Sequence, residues 1–377
     1  MMRALALVML AGCGLPDTSD MFHQAILSTP STAAEAHSSF VETMNGAERS
    51  LHVALARTDD PALTDALMDA VDRGVEVELV IDGDEANEAT AALDEAGALV
   101  QLADTGVAFF DFSINQDVAW SSTQTMMSHN YVIADRRRFV TSTEAGRTED
   151  GTRLQFEGRG EDLILDMLAE HNQLAGGVDA TALTAFSSPA KSIADFRWMY
   201  PVDSDVNFEM WLGPQERVTK RIIDAVYSAR ASVWVLTDDF ANDGLTKALQ
   251  DKARVGFDVK VVVGPEFGRS NAPLSRELEN ETPDVAKRQV TDTPVVPTLV
   301  LIDYEASPIN GRQYNHRAFL LTHDLYAATR LYRGLEVTSD QYIDSALWVL
   351  TDYNGLSPEM LELQSVWQAH FDRAGAL

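Results

Sequence analysis

The sequence predicts an α/β protein of two tandem α-β-α lobes packed against each other. Three observations carry that prediction. A length of 377 residues suits two lobes of about 150 residues better than a single core. Residues 50–82 align without a gap on residues 232–264, a constant offset of 182 positions. Within each copy the pattern reads strand, helix, strand with short links.

The elements follow in order. Leu51 to Leu55 and Val233 to Leu236 read as buried strands. Leu63, Ala66, Leu67, Ala70 and Val71 recur at helical spacing and give the next helix one apolar face. Their counterparts Leu245, Ala248 and Leu249 repeat it. Gly74 and Gly256 stand where a helix needs a left-handed cap, and Val75 to Ile81 and Phe257 to Val263 read as the following strands. The same offset places leading helices at 33–47 and 215–229. Closing helices fall at 161–171, after Leu154 to Phe156, and at 358–371, after Ala346 to Leu350. Short strand–helix–strand links imply right-handed crossovers and a mostly parallel sheet. The expected division is a first lobe over 22–174, a connection rich in Gly, Ser and Pro over 175–206, and a second lobe over 207–377.

The N-terminus reads as an export signal over residues 1–12. Arg3 supplies a positive charge, Ala4 to Leu10 a short apolar run, and Leu10-Ala11-Gly12-Cys13 small residues at a cleavage point. The last four are similar to a bacterial lipobox, which would make Cys13 a lipidation site and anchor the chain at the cell envelope, in periplasm or on the cell surface. Cys13 is the only cysteine, so the chain forms no internal disulfide. A formal charge of −29, from 29 basic and 58 acidic residues, repels nucleic acid at long range. Nucleic acid is therefore not the expected partner.

The order helix, strand, acidic loop, helix, Arg-Gly-Val, strand resembles the phospholipase D superfamily. Ala70-Val71-Asp72-Arg73-Gly74-Val75-Glu76-Val77 is especially similar to the segment before that family's second strand. The resemblance implies phospholipase-D-like lobes in pseudo-twofold arrangement, with one H-x-K-x4-D motif and a G-S-x-N-like segment from each. It further implies that one histidine attacks phosphorus to form a phosphohistidine and the other protonates the leaving oxygen, while lysine and Asn/Ser groups hold the phosphate.

Neither lobe keeps that motif intact. Ser128-His129-Asn130-Tyr131-Val132-Ile133-Ala134-Asp135 occupies the first position, with His129 and Asp135 one residue too close and Tyr131 near the place of the lysine. Ser142-Thr143-Glu144 stands for G-S-x-N and adds a carboxylate. Arg136 to Arg138 is either a solvated hairpin turn or a phosphate clamp. In the second lobe, spacing to the closing strand favours Asn315-His316-Arg317-Ala318, with Ala318 at the lysine position. The other alignment makes residues 297–303 the motif strand, with Val296 in place of the histidine and Thr322-His323-Asp324 at the G-S-x-N place.

On the first of these alignments the catalytic residues implied are His129 as nucleophile, His316 as acid, and Asp135. Asn130, Tyr131, Ser142, Thr143 and Arg317 would contact the substrate. A histidine in an apolar strand is ordinarily a hydrogen-bonded core residue, and that reading stands beside the catalytic one. His52 reads as structural, and His171 and His370 as cap or surface groups near the ends of the closing helices. Asp82-Gly83-Asp84-Glu85 lacks the ligand spacing of a calcium loop, so no metal site and no cofactor are expected. Two functions follow: a phosphodiesterase acting on phospholipid or another phosphodiester, with weak or no activity, or a pseudoenzyme serving binding or assembly at the membrane surface. A secreted nuclease fits the charge poorly.

Overall fold

The computed structural model describes residues 26–103, 107–111, 116–120, 126–175, 197–199, 206–213, 218–265, 267, 285–323, 325–326, 328–332, 335–339, 343–353 and 355–377. Cys13, the signal segment and most of the 175–206 connection lie outside them.

The first lobe contains strands β1 (Ile26–Ser28), β2 (Ser50–Leu55), β3 (Glu76–Asp82), β4 (Leu99–Ala103), β5 (Met126–Met127), β6 (Asn130–Ala134), β7 (Arg138–Ser142) and β8 (Gln155–Gly158). Its helices are α1 (Ala33–Asn45), α2 (Pro61–Asp72), α3 (Glu88–Ala96) and α4 (Glu161–Leu174). The second contains β9 (Arg197–Met199), β10 (Val206–Gly213), β11 (Ser232–Thr237), β12 (Asp258–Val263), β13 (Ala286–Gln289), β14 (Thr298–Ile302), β15 (His316–Leu321), β16 (Ile343–Asp352) and β17 (Gly375–Ala376). With them come α5 (Val218–Ser228), α6 (Asp243–Arg254) and α7 (Pro358–Arg373).

Local chemistry sets the helix ends. Thr32 and Glu35 form a capping box at α1, and Asp60 caps α2 with Pro61 at its first position. Gly74 and Gly256 adopt φ of 81° and 88° after α2 and α6 with open space around them, so backbone conformation alone calls for glycine.

The duplication is complete in the sheets. The first runs β1-β8-β7-β6-β2-β3-β4, and the second carries the same sequence of neighbours, β10-β16-β15-β14-β11-β12-β13. In both, only the β2/β3/β4 or β11/β12/β13 half is parallel, and the remaining pairs are antiparallel. The expected mostly parallel sheet is thus a mixed one. Its antiparallel half combines the β6–β7 hairpin and the β14–β15 pair with strands distant in sequence, none of which needs a crossover helix.

Each sheet covers two cores. On one face, α1 and α2 bury Phe40, Leu51, Val53 and Leu67, as α5 and α6 bury Ile222, Val233, Val235 and Leu249. The other faces of both sheets contribute to one shared core with α4 and α7. Trp348 on β16 sits at its centre, with its ring centroid 5.7 Å from Phe139 and 5.8 Å from Phe156 of the first lobe. Aromatic packing of this kind makes the lobe interface an interior, not a docking surface.

Candidate functional site

Asp135 and Asp303 fix the correspondence between the lobes. Asp135 has φ of 51°, and its carboxylate accepts from the N–H groups of Glu48, Arg49 and Ser50, where β2 begins. Asp303 has φ of 62° and accepts from Arg230, Ala231 and Ser232 at the start of β11. Their own N–H groups donate 2.9 Å to Ser50 and Ser232 carbonyls. Asp and Asn tolerate left-handed backbone better than other non-glycine residues. Burial works against the Asp135 charge, but the Glu48, Ser50 and Arg49 N–H donors hold its carboxyl below the usual carboxylate range.

This equivalence makes β14 the second motif strand. The pairing agrees: Val53 faces Val132 on β6 and Val235 faces Val300 on β14. Counting from the aspartates, the positions of H-x-K-x4-D hold Ser128 and Asn130 in the first lobe, Val296 and Thr298 in the second.

The His316 alignment is therefore corrected. His316 starts β15, and its Nδ1 lies 2.6 Å from the Asp303 carbonyl, at the opposite end of the sheet from the motif start. Six residues of strand, about 20 Å, separate it from Thr322. Arg317 is corrected with it: its guanidinium donates to Ser228 Oγ and the Ala225 carbonyl at the end of α5. Arg136, with φ of 56°, sits in the β6–β7 hairpin turn, and Arg138 pairs with Glu157 at 3.1 Å. The arginine run is a turn, not a clamp.

The two motif-strand ends do meet. Ser128 Oγ lies 3.3 Å from Thr322 Oγ1 across the lobes, β5 pairs with the start of β16, and Gly151 bridges Val295. A Cβ on Gly151 would come within 2.5 Å of Val295, so the close approach of the lobes requires glycine there. The junction is filled: Ser128, Asn130, Thr143, Val296, Thr298 and Thr322 are all buried. Asn130 accepts from the Ala56 N–H and donates to the Ser128 carbonyl, so both ends of its amide are engaged. Ser142 Oγ donates to the Glu144 carbonyl, and Thr143 Oγ1 accepts from the Leu154 N–H. Glu144 lies 3.6 Å from Arg147; burial raises its pKa while Arg147, Arg57 and Arg153 oppose the rise. Buried carboxylates of Asp82, Asp238 and Asp239 occupy the same strand ends.

His129 is fully buried within its own lobe. Its Nε2 lies 2.8 Å from Glu170 Oε1 on α4, and its ring meets Tyr131 edge-on at 5.7 Å. Tyr131 points to the same face and its Oη lies 3.1 Å from His171 Nδ1. His171 is buried as well, not a surface cap, and burial depresses it to about 3 despite the opposing charge of Glu78. His370 is likewise buried, its Nδ1 2.8 Å from the Val366 carbonyl. His52 Nδ1 lies 3.3 Å from Glu78 Oε2, and this hydrogen bond holds the Glu78 carboxyl down against burial.

Glu78, Glu170 and His171 were not candidates from sequence. A signal existed: Leu163, Met167, Glu170, His171 and Leu174 continue one helical stripe on α4, and His52 faces Glu78 in the β2/β3 register.

Two lobes of one topology, joined at the starts of their motif strands, define a tandem α/β protein of the phosphodiesterase type of fold. Residues 40–158 match the family described as cardiolipin synthase, PLD-like domain. Its fold is similar to that of phosphatidylserine synthase from Haemophilus influenzae Rd KW20, at 11% identity and a TM-score of 0.63, covering 96% of this chain and 90% of that one. It is also similar to polyphosphate kinase from Porphyromonas gingivalis, at 9% identity and a TM-score of 0.56, covering 92% of this chain but only half of the kinase. No curated protein matches it in sequence.

Proposed function

We propose that the chain is a phospholipase-D-like envelope protein with weak or no phosphodiesterase activity, its two-lobed scaffold kept as a binding or assembly module at the membrane surface. The observation that carries this reading is the aspartate-anchored register, which puts Ser128 and Asn130 of one lobe and Val296 and Thr298 of the other where two histidines and two lysines would be needed. Serine, asparagine and threonine supply neither a nucleophilic imidazole nor a cation. Loss of a single oxyanion-type stabiliser typically costs about 10²–10³ in rate, and here several are missing together. The buried carboxylates of Asp82, Asp238 and Asp239 further disfavour a bound phosphate.

In this reading Cys13 is lipidated after export and holds the scaffold against the membrane, with phospholipid or another phosphodiester as the class of ligand the fold suggests. The test is hydrolysis of a chromogenic phosphodiester. The expected result is no turnover above buffer for wild type or His129→Ala. Turnover in wild type that His129→Ala abolishes would overturn the reading.

A further inference from the structure

The first lobe carries a cluster that the motif junction does not use. His52, Glu78 and His171 each present a ligand atom, and the three lie within 4.8 Å of one another. They come from three separate elements, β2, β3 and α4, so the cluster is set by the fold and not by a flexible loop.

Two of the three separations are close to those of ligands that share one ion. Tetrahedral coordination with bonds of about 2.0–2.2 Å places neighbouring ligand atoms roughly 3.3–3.6 Å apart. His52 Nδ1 is 3.3 Å from Glu78 Oε2, and His171 Nε2 is 3.7 Å from the same oxygen. The second separation is too long for a hydrogen bond, and His171 Nε2 is buried without one. A buried ring nitrogen aimed at a carboxylate beyond hydrogen-bond distance is an unmet polar group, and such groups are costly.

The far side of the His171 ring is already supported. Nδ1 meets Tyr131 Oη at 3.1 Å. If Nδ1 carries the proton and donates it to that oxygen, the Nε2 lone pair points at the cluster. Metal-bound histidines are ordinarily oriented in this way through their second nitrogen. His52 and Glu78 are partly exposed, with side chains 13% and 21% accessible, while His171 is closed off. The open side admits an ion from solvent and leaves a fourth position for water.

We infer that His52, Glu78 and His171 form a binding site for a Zn²⁺-like transition dication, with Tyr131 positioning His171. Two imidazoles and one carboxylate select that class over Ca²⁺ or Mg²⁺, which take oxygen ligands. The ion would tie α4 to the parallel half of the sheet, and it would do so whether or not the motif junction has any activity.

The test uses the full chain stripped of metal. Equilibrium dialysis with Zn²⁺ is expected to give one bound ion per chain, and Co²⁺ to give the visible absorption of a four- or five-coordinate site. Zn²⁺ should also raise the unfolding temperature. His52→Ala, at the partly exposed ligand, should keep the fold by circular dichroism and lose both the ion and the temperature shift. Tyr131→Phe should keep one-to-one binding but weaken it about 10–100-fold. Binding below one equivalent in wild type, or binding and temperature shift unchanged in His52→Ala, would overturn the site.

Discussion

Asp135 and Asp303 perform the same task in the two lobes: each turns its backbone left-handed and gathers three N–H groups from the residues that open β2 and β11, respectively. A carboxylate in this role closes the end of a motif strand onto its neighbour. The aspartate of each motif is therefore kept for architecture, independently of the chemistry at the other end of the strand.

Asp303→Ala should be costly, because it leaves buried donors without an acceptor. A loss of about 2–3 kcal/mol is expected, read as a lower urea midpoint. Asp135 is more exposed, so water replaces part of its role and Asp135→Ala should cost less. Equal, negligible costs would contradict the shared role.

Trp348 ties the lobes together through Phe139 and Phe156. Trp348→Ala should destabilise the chain by about 3–5 kcal/mol, with both lobes affected. Denaturant unfolding followed by fluorescence and circular dichroism checks this. A loss confined to the second lobe would contradict the shared core.

Gly151 tests the seam at the motif junction. Its Cβ would lie 2.5 Å from Val295, so Gly151→Ala must push the lobes apart locally. The expected cost is about 1–3 kcal/mol, together with faster hydrogen exchange around 126–128 and 295–298. Unchanged exchange there would argue against the seam.

His370 supplies a pH dependence. Burial lowers its pKa below the ordinary histidine value, against the hydrogen bond to the Val366 carbonyl, with Arg373 lowering it and Asp292 raising it. The folded pKa thus lies below the unfolded one. The stabilisation is present above about pH 6.5 and is lost as pH falls through the folded pKa, because the unfolded chain takes up the proton first. One such group contributes a slope of up to about 1.4 kcal/mol per pH unit. Urea unfolding at pH 7, 6 and 5 should show a shallower decline for His370→Gln than for wild type.

The duplication was legible because strand–helix–strand units write a strong pattern: apolar strands, a one-sided helix and a glycine cap at the same spacing twice. The mixed sheet was less legible, since the crossovers announce their parallel pairs and hairpins are quieter. The second motif was misread for a geometric reason. In the first lobe a short turn at Asp135 to Arg137 joins β6 to β7, whereas residues 303–315 intervene between β14 and β15. Counting back from the closing strand therefore landed on His316, one strand too late. The partners of His129 and His171 stayed hidden because β6 and α4 are far apart in sequence. Burial of a helix's last turn also depends on what packs over it, not on its own residues.

The central claim is that neither His129 nor His316 serves as a phosphoryl acceptor. Its most direct measurement is mass spectrometry of the protein quenched at alkaline pH, where phosphohistidine survives, after mixing with an activated phosphodiester. The expected spectrum shows unmodified His129 and His316, identical to a sample without substrate. A phosphorylated His129 peptide that forms and decays with turnover would contradict the account.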